Sequence, residues 1–249
     1  MAKQIRAKSR SSSLAFTALA LFAIFICIRL GFWQFERYEI RHELTAKISS
    51  ALSKEATELT SSSQENVDTW MRVLIKGSYD PRYQLQFRGH YFQERYGLEI
   101  LSLFIPENTD IPPIWVDRGW MPAGNSAKEA VAIPAPPNGS LIIRGVLRQY
   151  DDPNTRSGVF FALPAPRIGR IDELTLQKSF SGETFHEYLK LDAGSDGSPL
   201  ATQPLKPPGE GPHLAYAIQW WIFALLIAGT RIALFKGERN ARAQSENWR

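Results

Sequence analysis

A histidine, a tyrosine and two tryptophans stand close together in Pro212-His213-Leu214-Ala215-Tyr216-Ala217-Ile218-Gln219-Trp220-Trp221. At 3.6 residues per turn, His213, Tyr216, Ala217, Trp220 and Ala224 share one helix face. That face offers an imidazole to ligate a metal, aromatic walls, and alanines where a flat ligand could approach the backbone. A helix start disfavours the protonated imidazole and keeps a ring nitrogen free for a metal. The same residues also read as an aromatic belt at a membrane boundary, with an ordinary histidine among the headgroups. The residues alone leave both readings open.

Little else in the chain points to chemistry. There is no GxSxG, no P-loop, no GxGxxG after a strand and no HExxH. The single cysteine, Cys27, excludes an internal disulfide and every CxxC motif. The pairs Asp151-Asp152 and Asp172-Glu173 sit beside turn or helix-start signals, where acids are favoured for their charge alone. His42, His90 and His186 lie in polar surroundings and read as surface residues. The expectation is a protein that is not an enzyme.

The elements that must position His213 are apolar runs at the two ends. Segments 14–35 and 214–235 each hold 22 residues, enough to cross a hydrocarbon core of about 30 Å at 1.5 Å per residue. Arg29 and Arg231 lie near the segment ends, where a long side chain can snorkel to the headgroups. The basic start (Lys3, Arg6, Lys8, Arg10) also suits a secretory signal, but Arg29-Leu30-Gly31-Phe32-Trp33 is not a small-residue cleavage site. Residues 1–10 carry four basic groups and no acid, and residues 231–249 carry five against two acids, which leaves 36–230 net acidic. The positive-inside rule then places the tails 1–13 and 236–249 in the cytoplasm and 36–212 in the periplasm, in a two-pass inner-membrane protein.

The chain has 249 residues with a formal charge of +4, and its mean hydropathy of −0.23 excludes a many-pass transporter. Fourteen Phe, eight Tyr and seven Trp exclude a disordered chain. The basic excess lies in the flanks and no basic run is interleaved with aromatics, so nucleic acid is not an expected partner. Within 36–212, Ile40, Leu44, Ile48 and Leu52 recur every four residues and predict an amphipathic helix over 36–59. Short apolar or alternating runs follow at 70–76, 83–87, 98–105, 114–120, 141–150 and 159–163. Asp80-Pro81, Pro112-Pro113, Asn138-Gly139 and Asp152-Pro153-Asn154 punctuate them. A short helix over 171–178 and a last strand over 187–191 complete the reading. The expected fold is an α+β membrane protein, with two transmembrane helices flanking a compact antiparallel β-sheet or small barrel.

Three stretches carry a family resemblance. Leu30-Gly31-Phe32-Trp33-Gln34 with Arg37, Trp115-Val116-Asp117-Arg118-Gly119-Trp120 with Pro122, and His213-Leu214-Ala215-Tyr216-Ala217 with Trp220 resemble the Surfeit-locus (Shy) family, in a bacterial member. That family consists of assembly factors for cytochrome c oxidase, with two spans near the termini and one domain outside. The resemblance implies haem a as a transient cofactor, with His213 as axial ligand to the haem iron and Tyr216 and Trp220 lining the site. It also implies the catalytic subunit of the oxidase and the haem a synthesis machinery as partners, at the membrane, with a homo-oligomer left open. Gly209-Glu210-Gly211-Pro212 stands where many members carry an Arg-Asn pair. Arg118 could meet a haem propionate or a carboxylate of its own domain. The rival function is a chaperone that never touches haem and holds an oxidase subunit by helix and aromatic contacts.

Overall fold

Long helices form where the sequence offers Leu, Ala, Phe and Ile with no interior proline. In the computed structural model, which describes residues 2–60, 69–124, 131–151, 167–168 and 171–247, α1 spans Ala2–Ser53 and α3 spans His213–Asn247. Pro212 precedes α3, and its carbonyl accepts the Tyr216 N–H at 3.1 Å as the first helical bond. Between these helices lie β1 (Thr57–Glu58), β2 (Arg72–Phe92), β3 (Arg95–Pro106), β4 (Ile114–Pro122), β5 (Leu141–Gln149), β6 (Arg167–Ile168), α2 (Glu173–Gln177) and β7 (Glu187–Leu191). The chain divides into two compact units: Met1–Lys47 with Pro207–Arg249, and Ile48–Lys206.

In the first unit α1 and α3 meet along a stripe of small residues. Cys27, Gly31, Ala217 and Ala224 are buried, whereas Leu14, Phe16 and Leu225 are more than 60% exposed. Ser13–Ser53 and His213–Ala241 are long and apolar enough to cross a membrane. Their most apolar stretches are almost wholly uncovered, unlike a core helix of a soluble protein. Small residues let two helix backbones approach closely, which is how helices associate where lipid competes for the apolar faces.

The second unit is one mixed sheet. β2 pairs antiparallel with β3 and with β5, β3 with β4, and β5 with β7, while β4 and β7 run parallel. The pairings therefore run from β2 through β3, β4, β7 and β5 and return to β2. One apolar cluster gathers Val73, Ile75, Phe104, Ile114, Val116, Ile143, Leu147, Phe185 and Leu189; a second gathers Leu85, Leu101, Leu103, Trp115, Ile168, Ile171 and Leu176. β3 is buried at every position from Leu98 to Phe104, as befits a strand with both faces covered.

Several expectations are corrected here. The sheet is mixed where an antiparallel one was expected, because β7, antiparallel to β5, lies between β5 and β4 and runs parallel to β4, and β1 and β6 add parallel pairs to β2. The runs at 70–76 and 83–87 are one strand, since Asp80-Pro81 sits at a register shift where no ladder bond is owed. The turn between β2 and β3 falls at Gln93 and Glu94, whose φ values of 49° and 62° make the mirror-image turn a tight hairpin needs, without the glycine that would have signalled it. The helix over 36–59 ends at Ser53. Thr57-Glu58 pairs instead with Val73-Leu74, and Leu59 is buried in the first cluster. On the stripe meant to be buried, Ile48 is covered while Ile40 and Leu44 are exposed. The strand placed at 159–163 lies outside the described residues. α2 begins as its acids suggest, with Asp172 accepting the Thr175 N–H at 2.8 Å.

Candidate functional site

In β4 the Trp115–Trp120 motif is buried throughout. Asp117 accepts from Lys190 Nζ at 2.7 Å and from the Gly119 N–H at 3.1 Å. Arg118 is fully buried and pairs with Asp196 at 3.2 Å, with further bonds to the Pro134 and Ala135 carbonyls and to Ser198 Oγ. Its guanidinium is thus committed inside its own domain, which is the structural role the sequence left open. Gly119 has φ +128°, and a Cβ there would stand 2.8 Å from the Ala201 carbonyl oxygen, so the glycine permits the close approach that pairs Trp120 with Ala201. The motif ties three distant chain segments together.

Lys190 also donates to Glu99 Oε1 at 2.8 Å, so two carboxylates share one ammonium inside the sheet. Burial first, and Asp117 second, push the Glu99 carboxyl up to about 7 against the pull of Lys190. Burial works against the Lys190 charge, but Asp117 and Glu99 outweigh it and hold its value above that of an ordinary lysine. A carboxyl whose folded value is raised favours the protonated fold. Its contribution is fully present below the ordinary glutamate value and is lost as pH rises through about 7. Unfolding midpoints of the full chain are therefore expected to fall between about pH 5 and about pH 8. Glu99→Gln should flatten that slope. An unaltered slope in the variant would remove Glu99 as its origin.

In the helical unit, the Leu30–Arg37 stretch of α1 forms a seat for α3. A Cβ at Gly31 would lie 2.3 Å from Trp221 Nε1, so the indole rests directly on the glycine. Phe32 and Phe35 flank the same indole, with ring centroids 5.7 and 6.0 Å away. Three residues on from Gly31, Gln34 Oε1 stands 2.9 Å from His213 Nδ1. On the other side of the histidine, Gly211 has φ +73°. A Cβ there would lie 3.2 Å from His213 Cδ2 and 3.3 Å from Nε2. The segment before α3 is fastened to α1 as well: Glu210 pairs with His42 Nδ1 at 2.6 Å, and Thr45 donates to the Pro208 carbonyl at 2.8 Å.

The predicted site residues have different surroundings. His213 is half-buried and tied to Gln34, Tyr216 is 47% exposed, and Trp220 is half-buried with its ring edge-on to Phe223 at 5.8 Å. Ala217 and Ala224 do not open the backbone to a flat ligand. They are buried on the Trp221 side of α3, because the helix pair needs small residues there. Arg231 has partners within the helix pair. Its guanidinium donates to Thr17 Oγ1 and Ser13 and pairs with Glu238, which holds it at the helix pair. His42, read as a surface histidine, pairs with Glu210. Gln34 and Gly211 received no role from the sequence. The signal that could have found Gln34 is one amide within the otherwise apolar run Leu30–Phe35.

The arrangement sets His213 at the start of α3, with Tyr216 and Trp220 one and two turns further along the same helix. Among the described residues no three His, Cys, Asp or Glu side chains gather to hold a bare metal ion. A donor set of one imidazole suits a metal whose other ligands come with it, as in haem, where the protein adds only axial bonds. The sequence model of the SURF1 family matches residues 21–225, which take in the Gly31 seat, the whole sheet and the His213–Trp220 stretch. No curated protein matches the chain.

Proposed function

The chain belongs to the SURF1 family, and from that premise we propose that it holds haem a through His213 while the catalytic subunit of cytochrome c oxidase matures. Members of this family are assembly factors for that oxidase. The observation that carries the haem reading is the state of the His213 ring. A carbonyl oxygen 2.9 Å from Nδ1 accepts a hydrogen bond from the N–H there, which in the neutral ring leaves the Nε2 lone pair as the metal-binding atom. When bound, the haem brings the iron and four of its ligands. The chain's own residues would supply one nitrogen to it, with the ring oriented by Gln34, and Tyr216 and Trp220 would offer aromatic surface one and two turns further along α3. No proton transfer and no covalent step is asked of the protein, in keeping with a function that is not catalytic.

The proposed setting is an inner membrane crossed by the two apolar helices, with both termini cytoplasmic and residues 36–212 periplasmic. The basic flanks around a net-acidic centre support that orientation. Reporter fusions at Ser63 and after Trp248 are expected to report opposite compartments. Equal readouts would contradict the two-span arrangement.

A chaperone that never touches haem is the second reading, favoured by the bare apolar flank of α3. Tyr216, Ile218, Ile222 and Leu225 are 47%, 47%, 47% and 72% exposed and free to meet another helix. Cells lacking the chain and supplied with His213→Ala or Trp220→Ala at equal levels separate the two. The haem reading expects His213→Ala to restore less haem-loaded oxidase than Trp220→Ala does. The reverse order, with normal haem in whatever oxidase assembles, would support the chaperone.

A further inference from the structure

We propose that Gln34 is the positioning residue for His213, fixing the ring so that Nε2 is the atom offered to a metal; this rests on the haem reading above and deepens it. The observations are geometric. Gln34 lies on α1 and His213 opens α3, 179 positions away, yet Oε1 and Nδ1 stand 2.9 Å apart and partly buried. Gly31 places the two helices at the separation this bond needs, since any side chain there would displace Trp221. A carbonyl oxygen can only accept, so Nδ1 carries a proton, and in the neutral ring Nε2 then carries none. The ring is also held against rotation, because turning it would exchange a bonded nitrogen for a carbon. Gly211 completes the arrangement from the other side. A Cβ at that position would crowd the Cδ2–Nε2 edge at 3.2 and 3.3 Å, and φ +73° is a conformation glycine adopts at little cost. A bond that orients Nδ1 and a neighbour without a side chain beside Nε2 are two conditions that suit a metal-binding histidine.

The test uses the full chain in detergent, titrated with ferric iron protoporphyrin IX, and reads the Soret position, the dissociation constant and the reduction potential. Gln34→Leu removes the acceptor and is expected to weaken binding roughly 10–100-fold, the usual cost of losing a partner behind a metal ligand. Gln34→Glu keeps an acceptor and adds charge. It should retain the affinity and lower the potential, because a carboxylate makes the imidazole a stronger donor to ferric iron. A residue that merely packs would not move the potential in this way. If His213→Ala abolishes the ligated spectrum while both Gln34 variants bind with wild-type affinity and potential, the positioning role is overturned and the haem reading stands. Lost affinity in Gln34→Leu with no lowered potential in Gln34→Glu would mark Gln34 as a packing residue and also overturn it. If His213→Ala itself keeps the wild-type spectrum, the haem reading falls and this inference falls with it.

Discussion

Arg118→Ala is expected to cost the chain about 3–5 kcal/mol, the usual consequence of stranding one partner of a buried ion pair. Arg118 is fully buried, and its side chain meets Asp196 at 3.2 Å, Pro134 O at 3.1 Å, Ala135 O at 3.3 Å and Ser198 Oγ at 3.1 Å. Alanine leaves the Asp196 carboxylate, on a side chain only 1% exposed, without its counter-charge, and takes a donor from two carbonyls. The Tyr79 hydroxyl would remain on Asp196 at 3.2 Å, a neutral donor where a cation had been. Burial and the Asp196 charge already push the Tyr79 phenol up, so it has no means of balancing that charge. Against a typical total of 5–15 kcal/mol, a loss of this size is a large part of the stability. Arg118→Lys should recover little of it, because a point charge cannot reach four acceptors that a planar fork spans. Denaturant midpoints of the full chain check this. A loss below about 1 kcal/mol would mean that Asp196 finds water or another partner.

His213→Ala carries the second large effect. It removes the nitrogen proposed to meet the metal, while the sheet, which does not include this residue, keeps its core. Haem affinity is expected to fall by roughly 100-fold or more, since partners that only orient a ligand are already worth 10–100-fold. Protein level and membrane insertion should stay near wild type. Tyr216→Phe keeps the ring and should bind nearly as wild type does. Trp220→Ala loses one aromatic contact, worth about 0.5–1.5 kcal/mol beyond area burial, and should fall between them. Undiminished haem in purified His213→Ala would contradict the ligand assignment.

Much of this arrangement can be read from residue order, and the parts that cannot share a physical cause. The two long helices follow from unbroken apolar runs, and the start of α3 follows from Pro212. β7 over Glu187–Leu191 and the Asp172 cap of α2 are local signals that the fold respects. Strand direction is not a local signal. Nothing in Trp115–Trp120 or Glu187–Leu191 says that β4 and β7 run parallel; that follows from β7 settling between β4 and β5. Pro81 reads as a turn because a proline cannot serve a regular ladder, and only the register shift beside it lets β2 continue. Two-residue strands such as β1 and β6 are too short to leave a period. The proposed site was legible in its histidine and not in its supports. His213 stands out by residue type, but its partner Gln34 is chosen by how α1 meets α3. Trp220 and Trp221 are equal by composition, and only the space above Gly31 makes Trp221 the one that seats the helix pair.

The central claim is that this chain carries haem, and the most direct measurement is the absorption spectrum of the detergent-purified full chain from cells that make haem a. A Soret band that travels with the protein through purification, and that is missing from His213→Ala prepared in parallel, is the predicted result. A wild-type chain that emerges without a Soret band at full haem supply, while still supporting oxidase assembly in the same cells, would contradict it.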